Sequence, residues 1–186
     1  PGLTLLITSR QLPELAEVWP FALQGLTYEQ SESDAENLFI QLAKKQQPRF
    51  QANEAALEYI RQICKLVEGL PLAIELAASW ARELSPKEIW EQLGRSFEIL
   101  KRDGQRQHDS MQAVFEYSWQ LLSPEQQTLL AQLSVFRGGF TSAAAEAVAG
   151  ATPYLLLSLQ NRSLLSKDDA GRYGLHELVR QLAERK

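Results

Sequence analysis

The stretch Glu68-Gly69-Leu70-Pro71-Leu72-Ala73-Ile74 sets a helix end, a corner and a new helix start within seven residues. Gly69 stands where a helix stops in the left-handed conformation, which glycine adopts without steric cost. Pro71 stands at the first position of the next helix, its φ already helical and its missing N–H not needed there. The spacing predicts a rigid corner that presents the proline ring and Leu72 between two helices. Such a corner can be architecture alone, so its company in the chain decides whether it is more.

On the N-terminal side of the corner, Thr27 and Gln30 have capping-box spacing and predict a helix from near Tyr28. Its apolar stripe is Ala35, Leu38, Phe39, Leu42 and Ala43, and Pro48 ends it. A second helix over 54–67 follows Asn53, with Leu57, Ile60, Ile63, Cys64 and Val67 inward. Beyond the corner, 71–83 is apolar nearly all round and is expected to be the most buried helix. Ser85-Pro86-Lys87-Glu88 is a capping box that opens a short helix to Leu93. From Gly94 the residues turn polar, and a solvated linker is placed at 101–109. The region 27–100 thus reads as a helical domain.

Residues 110–186 read as a second domain. Helices are expected over 110–122, 124–133, 142–149 and 154–161, with Ser123/Gln126 and Thr141 as starts. Val135-Phe136-Arg137-Gly138-Gly139-Phe140 bends the chain, its two glycines allowing a turn. A β-hairpin is predicted from Leu164-Leu165-Ser166-Lys167 and Arg172-Tyr173-Gly174-Leu175 around a turn at 168–171. The last helix starts close to His176, with Glu177 and Arg180 on its exposed face. This order spells a winged helix. From Asp109 onward there are seven Lys/Arg and eight Asp/Glu, too little basic surplus for a duplex-binding surface. Residues 154–161, where a recognition helix would stand, are mostly leucine and are expected to be buried.

The chain opens with Leu3-Thr4-Leu5-Leu6-Ile7-Thr8-Ser9-Arg10, a nearly continuous apolar run of the kind buried on both faces of a parallel sheet. Phe21-Ala22-Leu23-Gln24 is the one further strand candidate nearby. Two strands do not make a doubly wound sheet, so residues 1–26 are expected to be the end of a larger α/β domain. Ligands gather beyond the carboxyl ends of such strands. Arg10 can pair there with phosphate oxygens, or it can simply face solvent.

A net charge of −4 carries no nucleic-acid footprint, and 45% hydrophobic residues with 23% charged is ordinary globular composition. The single cysteine, Cys64, excludes an internal disulfide and a cysteine-based zinc site. His108 has no ligand partners near it in sequence, and no metal-site or catalytic-triad spacing occurs. With no signal peptide and no apolar run long enough to span a bilayer, a cytoplasmic setting without membrane partners is expected. His176 has two readings, a capping residue or a phosphate contact at a helix N-terminus.

Four motifs, in order, are similar to those of the signal-transduction ATPases with numerous domains. They are Ile7-Thr8-Ser9-Arg10, Gly69-Leu70-Pro71-Leu72-Ala73-Ile74, Ser134-Val135-Phe136-Arg137-Gly138-Gly139-Phe140 and Leu175-His176-Glu177-Leu178-Val179-Arg180. The resemblance covers essentially the whole chain. It is nearest to the NB-ARC-like bacterial members that often carry transcription-regulator domains; apoptotic activators and plant disease-resistance proteins are more distant. The resemblance implies a switch held closed by ADP and opened by exchange for ATP. It implies that Arg10 is the sensor arginine reading the γ-phosphate, and that Gly69, Pro71 and Leu72 pack near the adenine. It also implies that His176 matches the histidine of the Met-His-Asp motif, which contacts the β-phosphate of ADP; here the flanking residues are Leu175 and Glu177.

No G-x-x-x-x-G-K-[ST] occurs in the chain, and no acidic-ended strand that could hold Mg²⁺ precedes Thr4. Phosphate binding and metal coordination are therefore expected from an upstream phosphate-loop core of the same polypeptide. The expected fold is mainly α: remnant strands of an α/β NTPase sheet, a helical bundle, then a winged helix. The expected function is the regulatory lid of an ATP/ADP-dependent signalling switch, whose full-length parent is a slow ATPase that can self-associate on activation. The chain alone is expected to lack enzymatic activity, catalytic residues and a tightly held nucleotide. The alternatives are a non-enzymatic adaptor that binds protein partners and a DNA-binding winged helix.

Overall fold

Ser33 starts the first helix because its hydroxyl accepts the backbone N–H of Glu36, relieving one of the unpaired donors of the first turn. The computed structural model describes residues 19, 21, 23, 25–28, 33–102 and 109–186, with the side chains of all of these but 97–102 and 109–110. Helix α1 is Asp34–Gln46, with Asp34 and Glu36 in its first turn and Lys44 and Lys45 in its last, as the helix dipole favours. The helix thus begins later than the Thr27/Gln30 spacing predicts. Thr27 still serves it: its carbonyl accepts the N–H of Ala35 at 3.1 Å, and its hydroxyl bonds the Asp34 carboxylate. Gln30 lies outside the described residues.

Asn53 caps α2 (Glu54–Leu66), and Pro71 opens α3 (Pro71–Ser79), which tightens into a 3₁₀ turn at Trp80–Arg82. Helix α3 is the centre of the bundle, with Ala73, Ile74, Leu76, Ala77 and Ala78 inaccessible to solvent. It packs on α1 and α5. The buried Glu36 carboxylate ties α1 to α2 through Arg61 Nε at 3.2 Å.

The Ser85/Glu88 capping box forms as expected, with the Ser85 N–H and hydroxyl both donating to the Glu88 carboxylate at 2.8 and 2.7 Å. Those bonds hold the Glu88 carboxyl below its ordinary value. The helix it opens does not stop at Leu93. Helix α4 runs Pro86–Arg102, because Gly94 meets open space and interrupts neither the backbone bonds nor the packing. One glycine costs only about 1 kcal/mol in a helix.

Helix α5 (Asp109–Gln120) lies on α3 and α4. Its anchor is Trp80, whose Nε1–H donates to Ser118 Oγ at 3.2 Å and whose ring meets Tyr117 edge-on at 4.6 Å. One apolar cluster therefore runs from Ala35 through to Ala183.

Helices α6 (Pro124–Leu133), α7 (Ser142–Ala149) and α8 (Pro153–Asn161) follow, capped by Ser123, Thr141 and Thr152. The Ser123/Gln126 box is reciprocal. Strands β1 (Ser166–Lys167) and β2 (Tyr173–Gly174) are antiparallel, with Ser166 opposite Gly174 and Lys167 opposite Tyr173. Phe140 bridges to Tyr173 on the other edge of β2, so the order is helix, bridge, two helices and hairpin, that of a winged helix. Helix α9 (Glu177–Glu184) closes the chain, and Lys186 fixes its end to Glu116 of α5 at 2.7 Å.

The molecule is mainly α, as expected, with two further departures of detail. Neither Gly138 nor Gly139 takes a positive φ; Gly139 instead lies under Arg172, whose guanidinium bonds its carbonyl. Helix α8 is buried on one face only, through Leu155, Leu156 and Leu159, whereas Tyr154 and Leu157 are exposed. A leucine-rich helix at the edge of a small domain has more apolar residues than its buried stripe can take. The expected strand at 3–10 lies outside the described residues, and Phe21 and Leu23 belong to no strand.

Candidate functional site

The corner at 68–72 is built from an α2 end of Schellman type. The N–H of Glu68 bonds Lys65 O at 3.1 Å and the N–H of Gly69 bonds Cys64 O at 3.0 Å, the two reversed bonds that satisfy the last carbonyls of a helix. The left-handed position within that motif is held by Glu68, at φ +54°, one residue earlier than the sequence suggests. Gly69 is left-handed as well, at φ +64°. Its glycine is required by what crosses it. A β-carbon there would come within 2.1 Å of Leu26 O and 2.9 Å of the Tyr28 ring.

The crossing segment is just as restricted. Leu26 donates its N–H to Gly69 O at 2.8 Å, and a β-carbon on Gly25 would meet Glu68 O at 2.2 Å. Two glycines thus let two backbones touch, and the corner is locked to the chain that leads into α1. Pro71 is exposed, Leu70 is partly exposed and Leu72 is half-buried against the core. The apolar residue most open to solvent beside the proline is Leu70 rather than Leu72. Gly25, Leu26 and Tyr28 pack on the corner and are missed by the sequence reading; a glycine paired with Gly69 across forty-odd residues leaves no local periodic signal.

His176 is the N-cap of α9, its Nδ1 accepting the Leu178 N–H at 3.3 Å. With Nδ1 used as acceptor, the ring's other nitrogen carries a hydrogen and points its donor capacity elsewhere. The residue is exposed, so both readings of His176, cap and outward donor, are compatible with one ring.

Arg180 is not on the exposed face. It is 5% exposed and gathers Glu177 at 2.9 Å, Glu184 at 3.0 Å and the Ser134 carbonyl at 3.1 Å. The spacing i−3 and i+4 places both carboxylates on its own helix, while Ser134 comes from the end of α6. Arg180 therefore joins the Ser134–Phe140 motif to the Leu175–Arg180 motif, and Phe136 stacks on Phe140 at 4.6 Å in the same unit. Sequence periodicity could not place it, because a charged residue is buried here only by virtue of these partners.

The same contacts set the electrostatics. Hydrogen bonds from Arg180 and then Gln181 hold the Glu177 carboxyl down to about 2, from an ordinary 4.5, and Arg180 is pushed upward by Glu177. A carboxyl depressed by folding adds stability above its unfolded value and loses it as pH falls through its folded one. Melting curves of the chain and of Glu177→Gln should accordingly differ fully at pH 6, with the variant lower. The gap should shrink below about pH 4.5 and close near pH 2.

Gly69, Pro71 and Leu72 share the corner. Among the described residues no hydrogen bond, ion pair or ring contact joins His176 to it, and Arg10 lies outside the described residues. No group of three His, Cys, Asp or Glu is arranged to hold a metal among the described residues, and none of their helices is long and apolar enough to cross a membrane. Cys64 is fully buried, and burial pushes its thiol up to about 12, which leaves it unreactive.

No protein-family model matches the chain. It is similar to a "Putative HTH-type transcriptional regulator" of Mycobacterium tuberculosis, 34% identical over 198 aligned residues that take in 98% of this chain and 22% of the relative. A protein of the same description in Mycobacterium bovis matches to the same extent. An "Uncharacterized protein" of Mycobacterium tuberculosis is 35% identical over 153 residues, 80% of this chain and 38% of its own length. The chain thus spans about a fifth of the regulators it matches.

Proposed function

We propose that this chain is the regulatory lid of a nucleotide-dependent switch within a transcriptional regulator. The regulatory role is supported by the relatives' names across nearly the whole chain. The nucleotide role rests on the outward donor of His176 at the N-terminus of α9, where free N–H groups also favour an anion. In this reading Arg10 senses the γ-phosphate, and Gly69, Pro71 and Leu72 form a fixed wall for the adenine. The phosphate-loop core and Mg²⁺ come from elsewhere in the polypeptide, as does slow ATP hydrolysis. A nucleotide held by three separate modules makes their relative position depend on it, which is how ADP would keep the regulator silent. Exchange for ATP would free it to self-associate.

The test uses His176→Ser in the polypeptide that carries the phosphate loop, since serine keeps the cap while removing the ring. Loss of one hydrogen bond to a charged group is worth roughly 1.5–3 kcal/mol, so ADP is expected to bind about ten to a hundred times more weakly in calorimetric titration. Unchanged ADP affinity with unchanged signalling would leave the adaptor reading instead.

A second reading, DNA contact through the winged helix, is favoured by the HTH in the relatives' names. Against it, the solvent face of α8 carries Tyr154 and Leu157. The arginine at its end, Arg162, is paired with Glu83 at 3.3 Å. Salt-sensitive duplex binding by the chain at low ionic strength would support that reading; its absence would remove it.

A further inference from the structure

Helix α8 does not face open solvent across its whole outer side. Together with the 3₁₀ turn that follows α3 it walls a cleft of about 350 Å³. Trp80, Arg82 and Glu83 line one wall, and Tyr154, Leu157, Asn161 and Arg162 line the other. Tyr154 is 77% and Leu157 52% exposed, and at three residues apart they are neighbours on one helical face. Ser158, between them and Asn161, is already occupied: it donates to Leu155 O and accepts from Gln126 Nε2 at 2.9 Å. Glu83 and Arg162 neutralise one another across the cleft. That leaves Arg82 with no ionic partner, and the Asn161 amide and Tyr154 hydroxyl with no hydrogen bond, among the described residues.

We propose that this cleft docks an amphipathic, acidic helical segment of a partner protein, two apolar side chains covering Tyr154 and Leu157 and a carboxylate meeting Arg82. The cleft's charge argues for that chemistry. One guanidinium remains uncompensated, and a carboxylate matches its planar fork with two hydrogen bonds. The apolar pair one turn apart matches the spacing at which a helix presents its own apolar anchors, and tyrosine at the centre of such a patch is a common energetic anchor. A nucleic-acid duplex fits less well, since it needs several phosphate contacts at once and gains nothing from Leu157. The inference is independent of nucleotide binding.

Selection of random twelve-residue peptides on the immobilised chain tests it. Enriched peptides should carry an Asp or Glu together with apolar residues three or four apart. Binding of the most enriched peptide should weaken at least tenfold in Tyr154→Ser and in Arg82→Glu, both exposed positions that leave the fold intact. The Arg82→Glu loss should be recovered by exchanging the peptide's acidic residue for lysine. No enrichment, enrichment of basic peptides, binding indifferent to Tyr154 and Arg82, or a short DNA duplex that competes for the same residues would each overturn the proposal.

Discussion

Trp80→Ala is expected to lower the unfolding free energy by about 4 kcal/mol, the usual range for emptying a buried tryptophan site being 3–5 kcal/mol. Trp80 is 3% exposed and stands where α3 tightens into its 3₁₀ turn. Its ring is the main plate between α3 and α5, through Tyr117 and Ser118. Alanine would open a cavity between two helices that cannot collapse, because α3 is pinned on its other side by α1. Trp80→Phe separates the parts of this effect. It keeps an aromatic ring in the site, giving up part of the indole volume and the bond to Ser118, whose hydroxyl still donates to Val114 O at 2.9 Å, so a smaller loss of about 2 kcal/mol is expected. Urea denaturation followed by circular dichroism measures both. A Trp80→Ala cost below 1 kcal/mol would mean that α5 does not rest on α3 as described.

Gly69→Ala is expected to cost about 3 kcal/mol, from two sources that can be told apart. A left-handed alanine is worse than glycine by about 1–2 kcal/mol. The rest comes from Leu26 O, which a β-carbon would approach to 2.1 Å. The backbones must part, and the Leu26 N–H to Gly69 O bond goes with them. Glu68→Gly is the control: Glu68 is also left-handed, and glycine there relieves the conformation without touching the crossing segment. The backbone gain there is up to about 1 kcal/mol and offsets what the Glu68 side chain contributes, so that variant should lose clearly less than Gly69→Ala. Equal losses from both substitutions would put the cause in backbone flexibility rather than in the crossing of the two segments.

What was legible in the sequence were the features whose causes are local. Asn53, Ser85, Ser123 and Thr141 cap the helices they precede, since a cap is a bond between neighbours. The hairpin followed from a turn-rich segment between β-prone ones, and α3 announced its burial by being apolar all round. The failures have non-local causes. Ser33 outcompeted Thr27 as the start of α1, and Thr27 was kept as an outlying partner. Gly94 did not end α4, because nothing lies against it. Arg180 looked like a surface residue and became the link between two motifs, a role that depends on Ser134 lying forty-six residues away.

The candidate site was legible in part. The corner was visible as Gly and Pro at the right interval, but the reason for Gly69 lies in Gly25 and Leu26, which no spacing rule connects to it. His176 was readable as a helix start. Whether it also reads a phosphate depends on a partner that periodicity cannot supply.

Hydrogen exchange of the polypeptide carrying the phosphate loop, with and without ADP, tests the central claim most directly. If one nucleotide engages the corner and the winged helix together, exchange should slow in the peptides covering 25–28, 68–72 and 176–179 at the same ADP concentration. If ADP binds and protects only the phosphate-loop region, leaving these three segments unchanged, the chain is not the lid of that switch.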